Sequence, residues 1–156
     1  ASAADLDNLT FVEMQPRERL PELLASADLH VIPLRRGLAR SSVPSKLYSI
    51  LAAARPVVAS VDEGTAVARP IEAAEAGIAV APEDPDAFCS ALAELLDDPS
   101  GRERMGRSGR EFVEEWVSPA AVAAAYERLF EDVRAGGLHL SSPDHGHSGS
   151  RSRTRA

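Results

Sequence analysis

Asp28-Leu-His-Val-Ile-Pro33, Pro56-Val-Val-Ala-Ser-Val61 and Ile78-Ala-Val-Ala81 decide the architecture. Each is a short apolar run rich in β-branched residues and bounded by Pro, Gly or Asp, which predicts a buried strand. The segments between them have a different period. Leu47, Ile50 and Leu51 recur at helical spacing within Pro44 to Ala54, and Val67 and Ile71 do so within Thr65 to Ala76. Gly77 follows where a glycine helix stop is expected. Strands alternating with helices imply parallel strands joined by crossovers.

Toward the N-terminus, Leu9-Thr-Phe-Val12 predicts a further strand, and Leu20, Leu23, Leu24 and Ala27 predict a helix that begins near Pro16 or Pro21. Beyond Pro82 the chain reads as helical. Asp84-Pro-Asp86 opens one helix carrying Phe88, Leu92, Leu95 and Leu96. Asp98-Pro-Ser100 opens a second carrying Met105, Phe112, Val113 and Trp116. Ser118-Pro119 opens a third carrying Val122, Tyr126, Leu129 and Val133. The expected fold class is α/β: a partial doubly wound, Rossmann-like parallel sheet of about four strands with flanking helices and two C-terminal helices. Residues 1–135 are expected to form one domain, and residues 136–156, rich in Ser, Gly, His and Arg, a disordered tail. Trp116 is expected to anchor its helix to the sheet, Cys89 to pack within a helix, and His30 to pack in the core or at the sheet edge.

Composition removes several function classes. The chain has 156 residues, the size of one domain, and its apolar runs fall far short of a membrane span. Ala1 to Asn8 is polar and acidic, so no signal peptide is expected. A single cysteine, Cys89, excludes an internal disulfide and argues against a cysteine-based zinc site. A net charge of -7 argues against general nucleic-acid binding.

That net charge conceals an asymmetry. No Asp or Glu occurs between Asp28 and Asp62, while Arg35, Arg36, Arg40, Lys46 and Arg55 give the stretch a local charge of +5. Such a surface concentrates small anions, although solvated arginines clustered by chance give the same count. Within the stretch, the second predicted strand runs through Arg35-Arg-Gly-Leu-Ala-Arg-Ser-Ser-Val43 into a helix opening Pro44-Ser-Lys46. A helix N-terminus offers unpaired N–H groups and the positive end of a dipole, a combination suited to phosphate. Ser41, Ser42 and Ser45 add hydroxyl donors, Arg40 and Lys46 add full charges, and Gly37 lets the loop bend. A structural reading, in which Ser42 caps the helix and Lys46 is merely solvated, stands beside the phosphate reading. No Gly-x-Gly-x-x-Gly or P-loop pattern is present.

Asn8-Leu-Thr-Phe-Val12, Gln15 to Leu34, Val43-Pro-Ser-Lys-Leu-Tyr-Ser-Ile-Leu-Ala-Ala-Ala-Arg-Pro-Val-Val-Ala-Ser60 and Asp62-Glu-Gly-Thr65, followed by Pro82 to Phe88, Met105-Gly106 and Phe112 to Trp116, together resemble the C-terminal domain of GT-B glycosyltransferases of the glycosyltransferase family 4 kind. The Pro-Ser-Lys-Leu form is similar to bacterial enzymes of O-antigen and exopolysaccharide synthesis, including the L-fucosamine transferase type. The resemblance spans roughly Asn8 to Phe130 and implies one half of a GT-B fold.

The resemblance implies a nucleotide diphosphate sugar as donor partner and a saccharide or lipid-linked acceptor, with no cofactor and no metal required. It assigns Arg40, Ser41, Ser42, Val43, Ser45 and Lys46 to the phosphates and Ser49 to the ribose. Many relatives carry two glutamates along this loop and helix; the aligned positions here are Ser41 and Ser49, so paired-carboxylate chemistry does not carry over. Glu13 and Ala54 likewise stand where glycine is common. The resemblance also implies a strand–helix–strand segment and an acceptor domain N-terminal to the region seen here. The chain alone is therefore expected to be catalytically incompetent, a fragment of a cytoplasmic enzyme held at the inner face of the membrane through that domain. The alternative is a truncated or decayed domain that only binds nucleotide or another protein. A small doubly wound signalling domain is a weaker third reading, since no acidic pocket is expected at the strand ends.

Overall fold

The computed structural model describes residues 8–40 and 44–136. At its centre is a parallel three-stranded sheet in the order β1-β2-β3, formed by β1 (His30–Pro33), β2 (Val57–Ser60) and β3 (Gly77–Val80). The register is unstaggered. His30 stands beside Val57 and Val57 beside Gly77, so Pro33, Ser60 and Val80 bring the three carboxyl ends to one level.

Successive strand residues point to opposite faces, and both faces of β2 are covered. Val57 and Ala59 share a core with Leu47, Ile50 and Leu51 of α2 (Lys46–Ala52) and with Ala68 and Ile71 of α3 (Ala68–Ala73). Val58 packs on the other side with Ala91 and Leu95 of α4 (Pro85–Asp97), together with Ile78 and Val80. Helices on both faces of a parallel sheet make the α/β class, with the most buried strand in the middle.

The sheet has three strands where about four are expected, because Leu9 to Val12 forms none. Aromatic and β-branched residues favour a strand only where a neighbouring strand and a covered face receive them. Here Phe11 and Met14 are 81% and 99% exposed. The short α1 (Leu20–Ala25) follows, and His30 Nε2 lies 2.9 Å from the carbonyl oxygen of its Leu24. His30 is thus half-buried on the edge strand and tied to the backbone of α1.

The amino ends of the strands are closed by α5 (Pro99–Phe112). Its buried residues are Gly101, Gly106 and Gly109. Gly106 lies so close to the chain ahead of β2 that a Cβ there would stand 2.2 Å from the Ala54 carbonyl oxygen. The Ser108 hydroxyl donates to the Ala74 carbonyl, and Arg102 donates to the Leu95 and Leu96 carbonyls at the end of α4. Both long helices start as the sequence predicts. Asp84 accepts from the Ala87 N–H at 2.9 Å and Asp98 from the Gly101 N–H at 2.8 Å, each followed by proline at the first helical position.

Three packing expectations are corrected. Gly77 does not end α3. The left-handed residue there is Glu75 (φ 47), and Gly77 is instead the first residue of β3, where a Cβ would collide with the backbone of Val57. Cys89 is exposed rather than packed. Trp116 lies in a π-helical segment (Val113–Val117) and is 62% exposed, so it anchors nothing; Phe112 and Val113, one turn earlier, pack on the core instead. The wider turn of a π segment rotates the helical face, so Trp116 leaves the side on which a 3.6-residue period places it.

The chain divides into two compact units at Val122/Ala123. The first holds the sheet, α1 to α5 and the start of α6 (Pro119–Arg134). The second holds the remainder of α6, where the Tyr126 and Phe130 rings lie 6.1 Å apart. The tail expected over 136–156 lies, beyond Gly136, outside the described residues, as do Ser41, Ser42 and Val43.

Candidate functional site at the carboxyl ends of the strands

With α5 across the amino ends, the loops after β1, β2 and β3 are left at the other edge of the sheet, the edge where open α/β sheets bind ligands. Strand pairing continues one residue past each end. The Leu34 N–H donates to the Ser60 carbonyl at 2.9 Å and the Val61 N–H to the Val80 carbonyl at 3.0 Å. The loops therefore leave from fixed points.

Two side chains tie these loops together. After β1 the chain turns through Arg35-Arg36-Gly37, with Gly37 at φ 78, where glycine carries no Cβ penalty. The Gly37 N–H donates to Asp62 Oδ2 at 2.6 Å, joining this loop to the one after β2. Arg36 reaches the loop after β3: its Nη2 donates to the Pro82 carbonyl at 3.3 Å, and its Nε lies 3.6 Å from Glu83 Oε2. Glu83 has φ 63, a left-handed conformation uncommon for a side-chain-bearing residue. Asp62 is itself held by a turn in which the Thr65 hydroxyl donates to the Asp62 carbonyl at 2.8 Å and accepts from the Ala68 N–H, starting α3. A groove of about 430 Å³ lies beside this cluster, lined by Arg36, Asp62, Glu63, Glu72, Val80 and Pro82. A smaller one of about 190 Å³ is lined by Pro33, Ser60, Glu83 and Phe88.

The sequence-predicted residues are distributed as follows. Arg40 ends a 3-10 turn, Leu38–Arg40, on the way to α2. Ser41, Ser42 and Val43 are not among the described residues. Ser45 occupies the N-cap position of α2, where its side chain makes no capping hydrogen bond, and Lys46 is the first helical residue. Both are exposed, and Lys46 has no ion pair among the described residues. Ser49 is exposed one turn later and lines a different groove, of about 420 Å³, with Leu20 and Leu24 of α1 and Arg110 of α5. Ser45 and Lys46 therefore share a helix start, while Ser49 stands on the α1 side of the same helix. Arg36, Asp62 and Glu83, which form the observed cluster, are not among the expected site residues. The sequence marks them only through the cationic stretch that holds Arg36 and the family-like segments Asp62 to Thr65 and Pro82 to Phe88.

Residues 1–98 match the family described as Glycosyl transferases group 1. This chain belongs to the group 1 glycosyl transferases. WbjE of Pseudomonas aeruginosa, described as a glycosyltransferase, is 35% identical over 75 residues, which is 48% of this chain and 18% of the relative. WcaI of Escherichia coli K12, described as a colanic acid biosynthesis glycosyl transferase, is 33% identical over 98 residues, 62% of this chain and 24% of the relative. The chain thus spans a quarter or less of these curated relatives. Among solved structures, sucrose-phosphate synthase from Thermosynechococcus elongatus superimposes with a TM-score of 0.65 at 25% identity, covering 81% of this chain and 30% of that one. The parallel sheet with flanking helices is accordingly half of a GT-B fold. Among the described residues of this family member no helix is long and apolar enough to cross a membrane.

Proposed function

We propose that this chain is the donor-binding part of a glycosyltransferase that passes a sugar from a nucleotide diphosphate sugar to a saccharide or lipid-linked acceptor, in cell-envelope polysaccharide synthesis at the cytoplasmic side of the membrane. Membership of the group 1 family carries the reading, because the match over residues 1–98 contains the whole sheet and the cationic stretch that leads into α2.

In this reading Arg40, Ser41, Ser42, Val43, Ser45 and Lys46 take the two phosphates and Ser49 takes the ribose. A glycosyl transfer places negative charge on the departing diphosphate. A fixed cation and helix N–H groups aimed at that charge lower the barrier without having to reorganise during the reaction. The exposed ammonium of Lys46, with no carboxylate paired to it among the described residues, is available for that role. The colanic acid relative WcaI supports a polysaccharide setting.

Titration calorimetry with UDP, GDP and their sugars tests the reading. Saturable binding that is lost in Lys46→Ala upholds it. The second reading is a truncated or decayed non-catalytic domain that only binds nucleotide or another protein, and absence of heat with every nucleotide selects its protein-interaction form. That reading is favoured by one observation: serine stands at both aligned glutamate positions, 41 and 49.

A further inference from the structure

The groove of about 190 Å³ at the carboxyl end of β2 plays no part in the donor reading. Residues alternate across a strand. The helix α2, which begins at Lys46, packs on the face of β2 that carries Val57 and Ala59, whereas α4 packs on the face that carries Val58. Ser60 shares the Val58 face, and it lines the groove with Pro33 at the end of β1 and with the start of α4. The groove is thus on the opposite side of the sheet from α2.

Ser60 is 9% exposed, and its hydroxyl makes no hydrogen bond among the described residues. Buried polar groups are normally hydrogen-bonded, so this hydroxyl calls for a partner from the groove. The surroundings are apolar on one side and acidic on the other. Pro33, Pro85 and the half-buried Phe88 offer flat apolar surface. Asp84 commits Oδ1 to the Ala87 N–H, and its carboxylate has no ion pair among the described residues. Glu83 stands beside it, 3.6 Å from the Arg36 Nε.

These groups select their ligand by chemistry. Two carboxylates at the rim repel phosphate and other anions. The volume falls below the roughly 300–1,000 Å³ of sites for drug-sized ligands, so it has room for one ring and not for a nucleotide. The ligand that satisfies the lining is neutral and ring-sized, with an apolar face for Phe88 and the prolines and several hydroxyls at its edge. Ser60 exchanges a hydrogen bond with one hydroxyl, and a carboxylate is a strong acceptor for another. A pyranose combines these features: its axial C–H bonds form an apolar patch and its hydroxyls project around the rim.

We propose that this groove is a saccharide site for a single pyranose unit, separate from the residues to which the diphosphate is assigned above. Phe88 and Pro33 support the ring, Ser60 bonds one hydroxyl and Asp84 accepts from another. The site does not depend on the donor reading, because it holds a sugar with no nucleotide attached.

The test titrates the full chain with the methyl α-pyranosides of D-glucose, D-galactose and D-mannose and follows amide chemical shifts. At least one glycoside binds in the millimolar range and shifts the amides of Ser60 and Phe88. Ser60→Ala weakens that binding about fivefold, while the melting temperature stays level or rises, since the hydroxyl has no protein partner to lose. Phe88→Leu keeps an apolar residue in α4 but removes the flat ring, and it weakens binding as well. The proposal is overturned if none of the three glycosides shifts these amides, or if Ser60→Ala binds as the wild type does. Tetramethylammonium shifting the same amides where the glycosides do not overturns it in favour of a cation site. No nucleotide enters the titration, so a chain that binds glycoside but neither UDP nor GDP retains this site and loses the donor reading, and the reverse result does the opposite.

Discussion

Gly106 of α5 rests on the backbone of Ala54, at a distance where a Cβ on residue 106 would stand 2.2 Å from the Ala54 carbonyl oxygen. This contact closes the amino end of the sheet. The obstructing atom is backbone and cannot rotate away. Gly106→Ala is expected to destabilise the chain by about 1–3 kcal/mol through overpacking, read as a lower urea midpoint with an unchanged m-value.

The same contact bears on Ala54. It holds φ 55, the left-handed region, directly before Arg55 and β2. An L-residue pays for this conformation and glycine does not. Ala54→Gly is expected to stabilise the fold by about 0.5–1 kcal/mol, seen as a raised melting temperature. A lower one would show that the Ala54 methyl packs more favourably than its backbone is strained.

Asp84 and Asp98 cap α4 and α5 through single backbone bonds. Asp84→Ala and Asp98→Ala should each cost about 1 kcal/mol. The Asp98–Arg104 contact at 3.7 Å is half exposed and adds little to the second figure. Asp→Asn at either site retains a cap acceptor and should recover most of the loss in chemical denaturation.

Lys46 is exposed and touches no acid among the described residues, so Lys46→Ala should leave stability within about 0.5 kcal/mol of wild type. Loss of nucleotide binding in this variant would then be an effect on the site and not on folding. Binding by the wild type should weaken as salt rises from 0.05 to about 0.5 M, because an exposed cation is screened. Salt-independent binding would exclude Lys46 as a principal phosphate contact.

β1 is an edge strand, and its central Val31 is 49% exposed. Edges of this kind recruit other chains, and lysine blunts them. Val31→Lys should raise the concentration at which light scattering first reports association of the chain, with little change in melting temperature.

The strands His30–Pro33, Val57–Ser60 and Gly77–Val80 were legible as apolar β-branched runs, and α4 and α5 as Asp-Pro starts followed by helical periodicity. The expected helices Pro44 to Ala54 and Thr65 to Ala76 prove shorter, Lys46–Ala52 and Ala68–Ala73, because their outer residues are used in turns such as the one closed by the Thr65 hydroxyl. At Trp116 the π segment turns the helical face, whereas Leu9 to Val12 lacks a partner. Periodicity marks residues able to be buried, and burial also requires another element to arrive. For the proposed site, local charge and helix-start chemistry single out Ser45 and Lys46, and the structure puts both at the exposed start of α2. The Gly37–Asp62 and Arg36–Glu83 ties join residues far apart in the chain, and no local pattern announces them.

Alternating short-range periods, proline and glycine punctuation and an acid-free run were enough, within the amino-acid sequence itself, to determine the α/β class, the order of elements from α1 onward and a cationic helix start. Which acids approach which loop was decided only in three dimensions. Parallel pairing in one register sets Pro33, Ser60 and Val80 level, and the loops that leave from them meet at one edge. Helical and strand periods act over a few residues, whereas that meeting depends on the sheet being assembled first.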